Sequence, residues 1–271
     1  MDVPGFALIT GAASGIGRAC ALGFATEGTA GVALLDINLA ALTAVKEEIE
    51  TVLASKGGSN KCQIEICVVN VANEDEVNTT IPEIAQKFGR LDYVVNAAGI
   101  AMKHPGGAAH VETSDWQRIL NVNLTGSFFV LRAAAKIMLQ QDPILSAIDG
   151  RPLQRGSIVN FSSIQGVVGI AASTAYTTSK HGILGLTRTA SEDYAKDGIR
   201  INAICPGYTE TPLTSQPDVL KVMKEKVANS VPMERMGSPR EIADGVLYLA
   251  GGRSSFVTGA PLFVDGGYTQ R

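Results

Sequence analysis

Hydrophobic residues fall into short, nearly continuous runs separated by longer stretches in which apolar residues recur at helical spacing. The short runs are rich in Val, Ile and Leu, which is typical of parallel strands covered on both faces. They predict seven strands, at Phe6–Thr10, Gly31–Asp36, Gln63–Val69, Leu91–Val95, Ser157–Phe161, Ile199–Ile204 and Leu262–Val264. The longer stretches predict helices near residues 15–27, 39–55, 74–88, 115–140, 174–197 and 239–250.

Strands and helices alternate along the whole chain, which indicates right-handed βαβ units. We therefore predict an α/β fold with a Rossmann-like doubly wound parallel sheet of about seven strands and helices on both faces. No repeat, low-complexity tract or linker divides the chain. Its 271 residues suit one domain spanning residues 1–271.

Two segments depart from a minimal α/β frame. Residues 140–156 are rich in turn formers and separate a long helix from the next strand, so we expect a surface excursion there. Residues 207–232 follow Pro206–Gly207 and contain further prolines and a charged patch with helical character. Because long connections in compact domains are usually functional or disordered, we assign 207–232 to a substrate lid.

The net charge is −3 and the lysines and arginines are scattered. This balance offers no basic face for nucleic acid and no polybasic stretch for an anionic membrane. No apolar run reaches the length of a membrane span. The first ten residues carry no basic leader and run directly into a predicted strand. We expect a cytoplasmic protein that binds neither nucleic acid nor membrane.

Four cysteines are present, at Cys20, Cys62, Cys67 and Cys205. Cys62 and Cys67 stand five positions apart near one strand, and an odd spacing on a strand directs side chains to opposite faces. The cysteines therefore suggest neither a disulfide framework nor a metal site. We expect four buried, ordinary thiols in a reducing compartment.

A glycine-rich turn joins the first predicted strand to the first predicted helix, with the sequence Thr10-Gly11-Ala12-Ala13-Ser14-Gly15-Ile16-Gly17. Glycines permit a tight turn and let backbone N–H groups approach a pyrophosphate, while the helix N-terminus adds partial positive charge. The spacing G-x-x-x-G-x-G departs from the commoner G-x-G-x-x-G, and glycines also serve plain strand–helix packing. The position between strand and helix favours dinucleotide binding.

Asp36 ends the second predicted strand, about twenty residues beyond the glycines, as the dinucleotide pattern requires. A carboxylate there accepts hydrogen bonds from ribose hydroxyls and repels the 2′-phosphate of NADP. Neither Ile37 nor Asn38 supplies a cation for that phosphate, and Ser14 occupies a place where a basic residue would hold it. The competing interpretation is that Asp36 caps the helix beginning near Leu39. We predict NAD as the cofactor.

Tyr176 and Lys180 stand four residues apart in a predicted helix, so both side chains share one face. A nearby cation lowers the pKa of a phenol and makes it a useful proton donor or acceptor. An exposed Tyr–Lys pair is the alternative. However, no other tyrosine in the sequence has a lysine four residues on. The pair also follows the strand that ends before Ser162 and Ser163, and ligands bind beyond the carboxyl ends of parallel strands.

Taken together, these motifs resemble the short-chain dehydrogenase/reductase superfamily over nearly the whole chain. Further matching elements are Asn96-Ala97-Ala98-Gly99, Val122-Asn123-Leu124-Thr125-Gly126, Pro206-Gly207 and Val264-Asp265-Gly266-Gly267. The resemblance places the catalytic serine thirteen residues before the tyrosine, which selects Ser163 over Ser162. Asn70 stands where relatives often have aspartate, although an amide still offers an acceptor. Ala97 stands where relatives have asparagine.

The resemblance implies four catalytic residues. Tyr176 transfers the proton, Lys180 lowers its pKa and holds the nicotinamide ribose, Ser163 steadies the substrate oxygen, and Asn123 anchors a water linked to Lys180. It implies cofactor contacts at Gly11, Ser14, Gly15, Ile16, Gly17, Asp36, Ile37, Asn70, Val71, Asn96, Ala97, Gly99, Tyr176, Lys180, Pro206, Gly207, Thr209 and Thr211. For Thr209 and Thr211 turn-capping is an equally good interpretation. A homotetramer is also implied.

The expected activity is NAD(H)-dependent interconversion of a secondary alcohol and a ketone. One alternative is an NADPH-dependent reductase of a ketone or 3-oxoacyl thioester in a biosynthetic pathway. A non-enzymatic alternative is a dinucleotide-binding sensor, since a fold alone does not determine function. The substrate pocket should involve Met102–Pro105, Gln165–Val168 and the lid, whose mixed polarity suits a moderately lipophilic alcohol or ketone, a sugar derivative or a secondary metabolite.

Overall fold

The computed structural model describes residues 1–55, 62–212, 214 and 217–270. Within this part of the chain, all seven predicted strands are present. Their bounds are β1 Phe6–Thr10, β2 Gly31–Asp36, β3 Gln63–Val68, β4 Tyr93–Asn96, β5 Gly156–Phe161, β6 Ile199–Pro206 and β7 Pro261–Val264. β4 is displaced towards its carboxyl end relative to the prediction, because its pairing with β1 begins at Tyr93.

All strand pairs are parallel, and the strand order is β3-β2-β1-β4-β5-β6-β7. The chain therefore winds outwards in one direction from β1 to β3 and in the other from β4 to β7. This reversal places a crevice between β1 and β4 at the carboxyl ends of the strands, which is where open α/β sheets bind ligands.

In the described part of the chain, eight α-helices cover the sheet. Their bounds are α1 Gly15–Thr26, α2 Leu39–Ser55, α3 Glu74–Phe88, α4 Thr113–Leu120, α5 Ser127–Met138, α6 Thr174–Tyr194, α7 Pro217–Ser230 and α8 Pro239–Ala250. Alternate strand residues enter opposite cores: Ala7 and Ile9 pack with α1, α2 and α8, while Leu8 packs with α3, α5 and α6. This is the doubly wound fold that the hydrophobic pattern predicts.

Local capping explains why two of these helices begin where they do. The Asn73 side chain accepts hydrogen bonds from the amides of Asp75 and Glu76 at the start of α3. At α8, Ser238 and Glu241 form a reciprocal capping box, and Pro239 occupies the first turn.

The prediction of one helix over 115–140 is wrong in detail. The helix begins at Thr113 and is interrupted by a π-helical segment, Asn121–Gly126, before continuing as α5. Gly126 lies against Val71, and a Cβ at Gly126 would stand 2.9 Å from a Val71 methyl. Periodicity alone does not reveal such an insertion, because the apolar face continues on either side of it.

The surface excursion predicted at 140–156 is a short anchored hairpin. Leu145 and Pro152 form an antiparallel bridge, and the tip is held by Asp2 near the start of the chain. Asp2 accepts hydrogen bonds from the Ser146 hydroxyl at 2.7 Å and the Ala147 amide at 3.0 Å. Leu145 remains exposed.

The segment predicted as a lid, 207–232, contains α7 as its sequence suggests, although residues 213, 215 and 216 lie outside the described chain. Val227, Val231 and Met236 form a small separate core here. Tyr208 and Tyr268 pack against this core. Their two rings contact each other edge to face, with ring centroids 5.7 Å apart. The lid is thus tied to the C-terminal segment.

The cysteines follow the prediction in part. All four are free, and Cys62 and Cys67 pack into opposite cores. Only Cys20 and Cys205 are buried, whereas Cys62 and Cys67 are partly exposed because β3 is an edge strand. Among the described residues, no helix has both the length and the apolar character to cross a membrane.

Candidate active site

Two adjoining cavities lie at the carboxyl ends of the central strands. The first, of about 300 Å³, runs from the glycine turn past Asp36 to Asn70. The second, of about 530 Å³, contains Ser163, Tyr176 and Lys180. Ile16, Gly99 and Thr211 line both cavities, so one elongated ligand can span them.

The glycine turn has the geometry that its sequence predicts. Gly11 and Gly15 have φ angles of 66° and 53°, in the left-handed region. A Cβ at Gly17 would stand 2.1 Å from the Gly11 carbonyl oxygen, so only glycine fits there. The Ser14 side chain makes no cap to α1, which leaves first-turn amides available for an anion. The turn therefore fits a pyrophosphate.

Asp36 lines the first cavity and does not cap α2. Its carboxylate accepts hydrogen bonds from the Ala13 amide at 3.3 Å and the Asn38 amide at 3.1 Å. Asn38 caps the helix instead, because its side-chain oxygen accepts from the Ala41 amide. The capping interpretation of Asp36 is therefore wrong, and the carboxylate is held beside the glycine turn.

At the far end of the first cavity, Asn70 and Val71 form the wall together with Ile37. The Asn70 side-chain oxygen already accepts a hydrogen bond from the Ala72 amide at 3.1 Å. Asn70 therefore stabilises the turn after β3 and also lines the cavity. Ile37 is 70% exposed and forms an apolar rim.

Asn96 is placed differently from the expectation. It is buried and lines neither cavity, and its amide donates to the Asn160 side-chain oxygen at 2.8 Å and to the Ser127 carbonyl. Its side chain thus ties β4 to β5 and α5. Ala97 and Gly99, from the same motif, do line the cavities.

Asn123 lies behind the cavity wall in the π-helical segment. It exchanges two hydrogen bonds with the backbone of Ile100, accepting at 2.8 Å and donating at 2.9 Å, and it also donates to the Ser179 hydroxyl at 3.1 Å. The Cβ position of Gly99 would be 3.4 Å from the Asn123 side-chain oxygen and 3.7 Å from the Lys180 ammonium. Asn123 therefore joins the loop after β4 to the helix that carries Tyr176 and Lys180.

The two serines after β5 have different surroundings. Ser162 donates its hydroxyl to the Lys180 carbonyl at 2.9 Å and is engaged in packing. Ser163 is hydrogen-bonded to Tyr176 and also accepts from the Gln165 amide at 3.1 Å. The structure thus brings Ser163, and not Ser162, to the tyrosine.

Lys180 is buried, and its ammonium donates to the Phe161 carbonyl at 2.8 Å. Its Nζ stands 5.5 Å from the Tyr176 ring centroid. Burial lowers the pKa of Lys180 to about 8, since the charged form is desolvated. The lysine therefore titrates close to neutral pH.

The pKa of Tyr176 is raised by burial, and its hydrogen bond with Ser163 opposes this rise. The expectation that Lys180 lowers the pKa of Tyr176 is not met in the protein alone. Desolvation outweighs the other influences because the phenol lies in a largely apolar cleft. Tyr176 therefore keeps its proton at neutral pH.

The lid side of the second cavity is formed by Pro206, Gly207, Thr209 and Thr211. The Thr209 hydroxyl donates to the Gly207 carbonyl at 3.1 Å, which supports its turn-capping interpretation. Thr211 lies beside the glycine turn, with its side chain 3.5 Å from the Cβ position of Gly15. It connects the lid to the phosphate end.

The segments predicted for the substrate pocket contribute to the second cavity, and a residue outside them, Ser173, joins it. Lys103, Ser173, Thr214 and Met223 line the second cavity. Lys103, Thr214 and Met223 belong to the predicted segments, whereas Ser173, which immediately precedes α6, was not predicted because it carries no motif. Gln165 also lines this cavity, and its side-chain oxygen accepts from the Thr177 hydroxyl at 2.8 Å.

Comparison with known proteins agrees with this geometry. Residues 11–269 match the family model described as enoyl-(acyl carrier protein) reductase. The chain is 38% identical to the short-chain dehydrogenase fogB of Aspergillus ruber, covering 99% of this chain and 98% of that protein. It is 36% identical to the 3-oxoacyl-[acyl-carrier-protein] reductase FabG of Thermotoga maritima, covering 96% of each.

Solved structures lead to the same group. Ligand-free aldohexose dehydrogenase of Thermoplasma acidophilum superposes with a TM-score of 0.80 at 31% identity. The match covers 99% of this chain and 95% of that one.

Proposed function

The chain belongs to the short-chain dehydrogenase/reductase superfamily of oxidoreductases, and on that premise we propose that it interconverts a secondary alcohol and a ketone with NAD(H). The arrangement of Ser163, Tyr176 and Lys180 around one cavity carries this proposal. Ser163 and Tyr176 place two hydroxyl groups side by side, so that both can turn to one substrate oxygen and Tyr176 can transfer the single proton that carbonyl reduction requires.

Tyr176 is the proton donor in the reductive direction. Because burial raises its pKa, the phenol is protonated at neutral pH and ready to donate to a developing alkoxide. Ser163 donates to the same oxygen and orients the carbonyl. Lys180, with a pKa of about 8, is mostly protonated at pH 7 and stabilises negative charge on the tyrosine oxygen. Asn123 positions the helix that holds both.

A nicotinamide held in these cavities would supply or accept the hydride. The residues that would hold it are those whose geometry fits a dinucleotide: the glycine turn with its uncapped helix, Asp36 at the ribose, and Gly99 and Thr211 between the cavities. The fixed Asp36 carboxylate supports NAD as the cofactor, because its negative charge would repel the 2′-phosphate of NADP.

A second candidate is an NADPH-dependent reductase of a 3-oxoacyl thioester. The 36% identity to the FabG reductase of Thermotoga maritima supports that substrate class. The charge of Asp36 argues against NADPH as the cofactor, but it gives no information about which ketone is reduced.

The proposal is tested with Tyr176→Phe, which removes only the phenolic oxygen. Turnover of a panel of secondary alcohols and ketones should fall by about 10²- to 10⁴-fold, while NADH affinity stays within about twofold. Tyr248→Phe, on α8 and 37% exposed, is the matched control and should be fully active. Undiminished turnover by Tyr176→Phe would overturn the mechanism. Cofactor binding without turnover of any panel member would favour a sensor.

Homotetramer formation and a cytoplasmic location remain predictions. Light scattering of the purified protein tests the first, and imaging of the tagged protein in its host cell tests the second.

A further inference from the structure

Lys103 stands at the mouth of the second cavity, on the loop that follows β4. Its ammonium donates to the Ser173 hydroxyl at 2.6 Å and to the Ala171 carbonyl at 3.2 Å. Ser173 immediately precedes α6, which carries Tyr176 three residues later. Three residues are about one helical turn, so the ammonium is anchored at the end of the helix that presents the catalytic phenol.

The segment that holds Lys103 is strained. Ala172 has a φ of 61°, in the left-handed region that residues with a Cβ rarely adopt. Its carbonyl accepts a hydrogen bond from the His104 amide at 2.8 Å, while the preceding carbonyl of Ala171 faces Lys103. Such strain is found mostly where the surrounding structure holds a particular geometry in place. Here it fixes the direction of one lysine.

The charged side chains that line the second cavity are of one sign. Among the described residues that line the second cavity, the only charged side chains are Lys103 and Lys180, and neither aspartate nor glutamate is present. Partial burial and the positive charge of Lys226 on α7 lower the pKa of Lys103. The Ser173 side chain does not cap α6, so the positive end of that helix also faces this region.

A fixed ammonium with two of its three N–H groups engaged offers the third to an incoming acceptor. We propose that Lys103 binds an anionic group of the substrate, a carboxylate or a phosphate, and thereby selects oxo and hydroxy compounds that carry a negative charge. This inference rests on the proposed function, because Tyr176 determines where the reacting carbonyl lies.

The test uses matched pairs of ketones with and without charge. One pair is 5-oxohexanoate and its methyl ester, and the other is 3-oxobutanoyl-CoA and the corresponding N-acetylcysteamine thioester. The variants are Lys103→Met, which removes the charge, and Lys103→Arg, which keeps it. Lys136→Met, on the exposed face of α5, is the control.

We expect Lys103→Met to lower kcat/KM for a charged member about tenfold or more, mainly through KM, as loss of a charged hydrogen bond implies. The uncharged partner should change less than about twofold, and Lys103→Arg should restore most of the loss. A selective effect on 5-oxohexanoate identifies a carboxylate as the ligand. A selective effect on the CoA thioester identifies a phosphate.

If Lys103→Met lowered kcat/KM equally for charged and uncharged ketones, the inference would be overturned and Lys103 would have a purely structural role. Unchanged rates for all four compounds would overturn it as well. Isothermal titration calorimetry of the same compounds with the NADH-bound protein measures anion binding without requiring turnover. It therefore tests the anion site separately from the proposed oxidoreductase activity. Charge-selective binding that Lys103→Met abolishes, without turnover, supports the anion site and contradicts the oxidoreductase.

Discussion

The Lys180 ammonium donates a 2.8 Å hydrogen bond to the carbonyl of Phe161, the last residue of β5. The contact joins the end of the strand before Ser163 to the second turn of α6, and the cation that makes it is buried. Strand and helix are therefore fixed relative to each other by the same residue that lies beneath Tyr176. The cost of this arrangement is electrostatic, because Lys180 loses its solvation shell.

This cost predicts a specific dependence of stability on pH. The pKa of Lys180 is about 8 in the folded protein and 10.5 ordinarily, so the unfolded chain binds more protons between these values. The contribution of Lys180 to stability should therefore rise from pH 8 to 10.5 and be lost as the pH falls through 8. The difference in unfolding free energy between the wild type and Lys180→Met should increase by roughly 3 kcal/mol between pH 7 and 10.5.

Urea unfolding of the cofactor-free protein at both pH values measures this difference. Groups that titrate independently of Lys180 contribute equally to the wild type and to Lys180→Met, so their contributions cancel in the difference between the two unfolding free energies. A difference that is flat with pH would mean that the ammonium is not desolvated.

Asp36 should determine the choice of cofactor. Titrations that follow nicotinamide fluorescence should give the wild type at least about tenfold tighter binding of NADH than of NADPH, or roughly 1.4 kcal/mol. Asp36→Asn removes the charge but keeps an acceptor for the Ala13 amide, so NADPH affinity should rise about tenfold. Asp193→Asn, at an exposed position on α6, is the control. Wild-type binding of NADPH as tight as that of NADH would make the NAD assignment wrong and a biosynthetic ketone reductase the leading hypothesis.

Gly17 should tolerate no side chain. A Cβ there would stand 2.1 Å from the Gly11 carbonyl oxygen, so Gly17→Ala must displace the turn that faces the pyrophosphate. We expect NADH affinity to fall at least about tenfold, together with a loss of stability of about 1–3 kcal/mol. The control is Gly185→Ala within α6, where a Cβ meets no atom within 4 Å. It should stabilise the helix by up to about 1 kcal/mol and leave binding unchanged.

Arg200 should stabilise the fold without taking part in catalysis. Its buried guanidinium donates to the carbonyls of Leu249, Ala250, Gly251 and Val257 and thereby holds the end of α8. Arg200→Met leaves these acceptors without their donor, and unfolding free energy should fall by about 3–5 kcal/mol. Arg188→Met, on the exposed side of α6, should have little effect. A large loss of kcat in folded Arg200→Met would contradict this purely structural role.

Residue pattern alone was sufficient for the architecture. Strands buried on both faces must be apolar at nearly every position, whereas apolar residues recur every three or four positions in the helices between them. The alternation of these two patterns along the chain predicts a doubly wound sheet. The glycine turn and the Tyr176–Lys180 spacing are equally local, because each reflects the geometry of one turn or one helical face. These features, together with the family resemblance, are what the sequence by itself determined.

Other features depend on contacts between residues far apart in the chain, and only the tertiary structure decided them. The π-helical segment arises where Gly126 meets Val71, and the placement of Asn96 depends on its partner Asn160. Lys103 belongs to no motif, and it became a candidate anion site only when its loop was found hydrogen-bonded to Ser173, 70 residues later. Local propensity contains no information about such pairings, since their geometry exists only after the sheet has brought the connecting loops together.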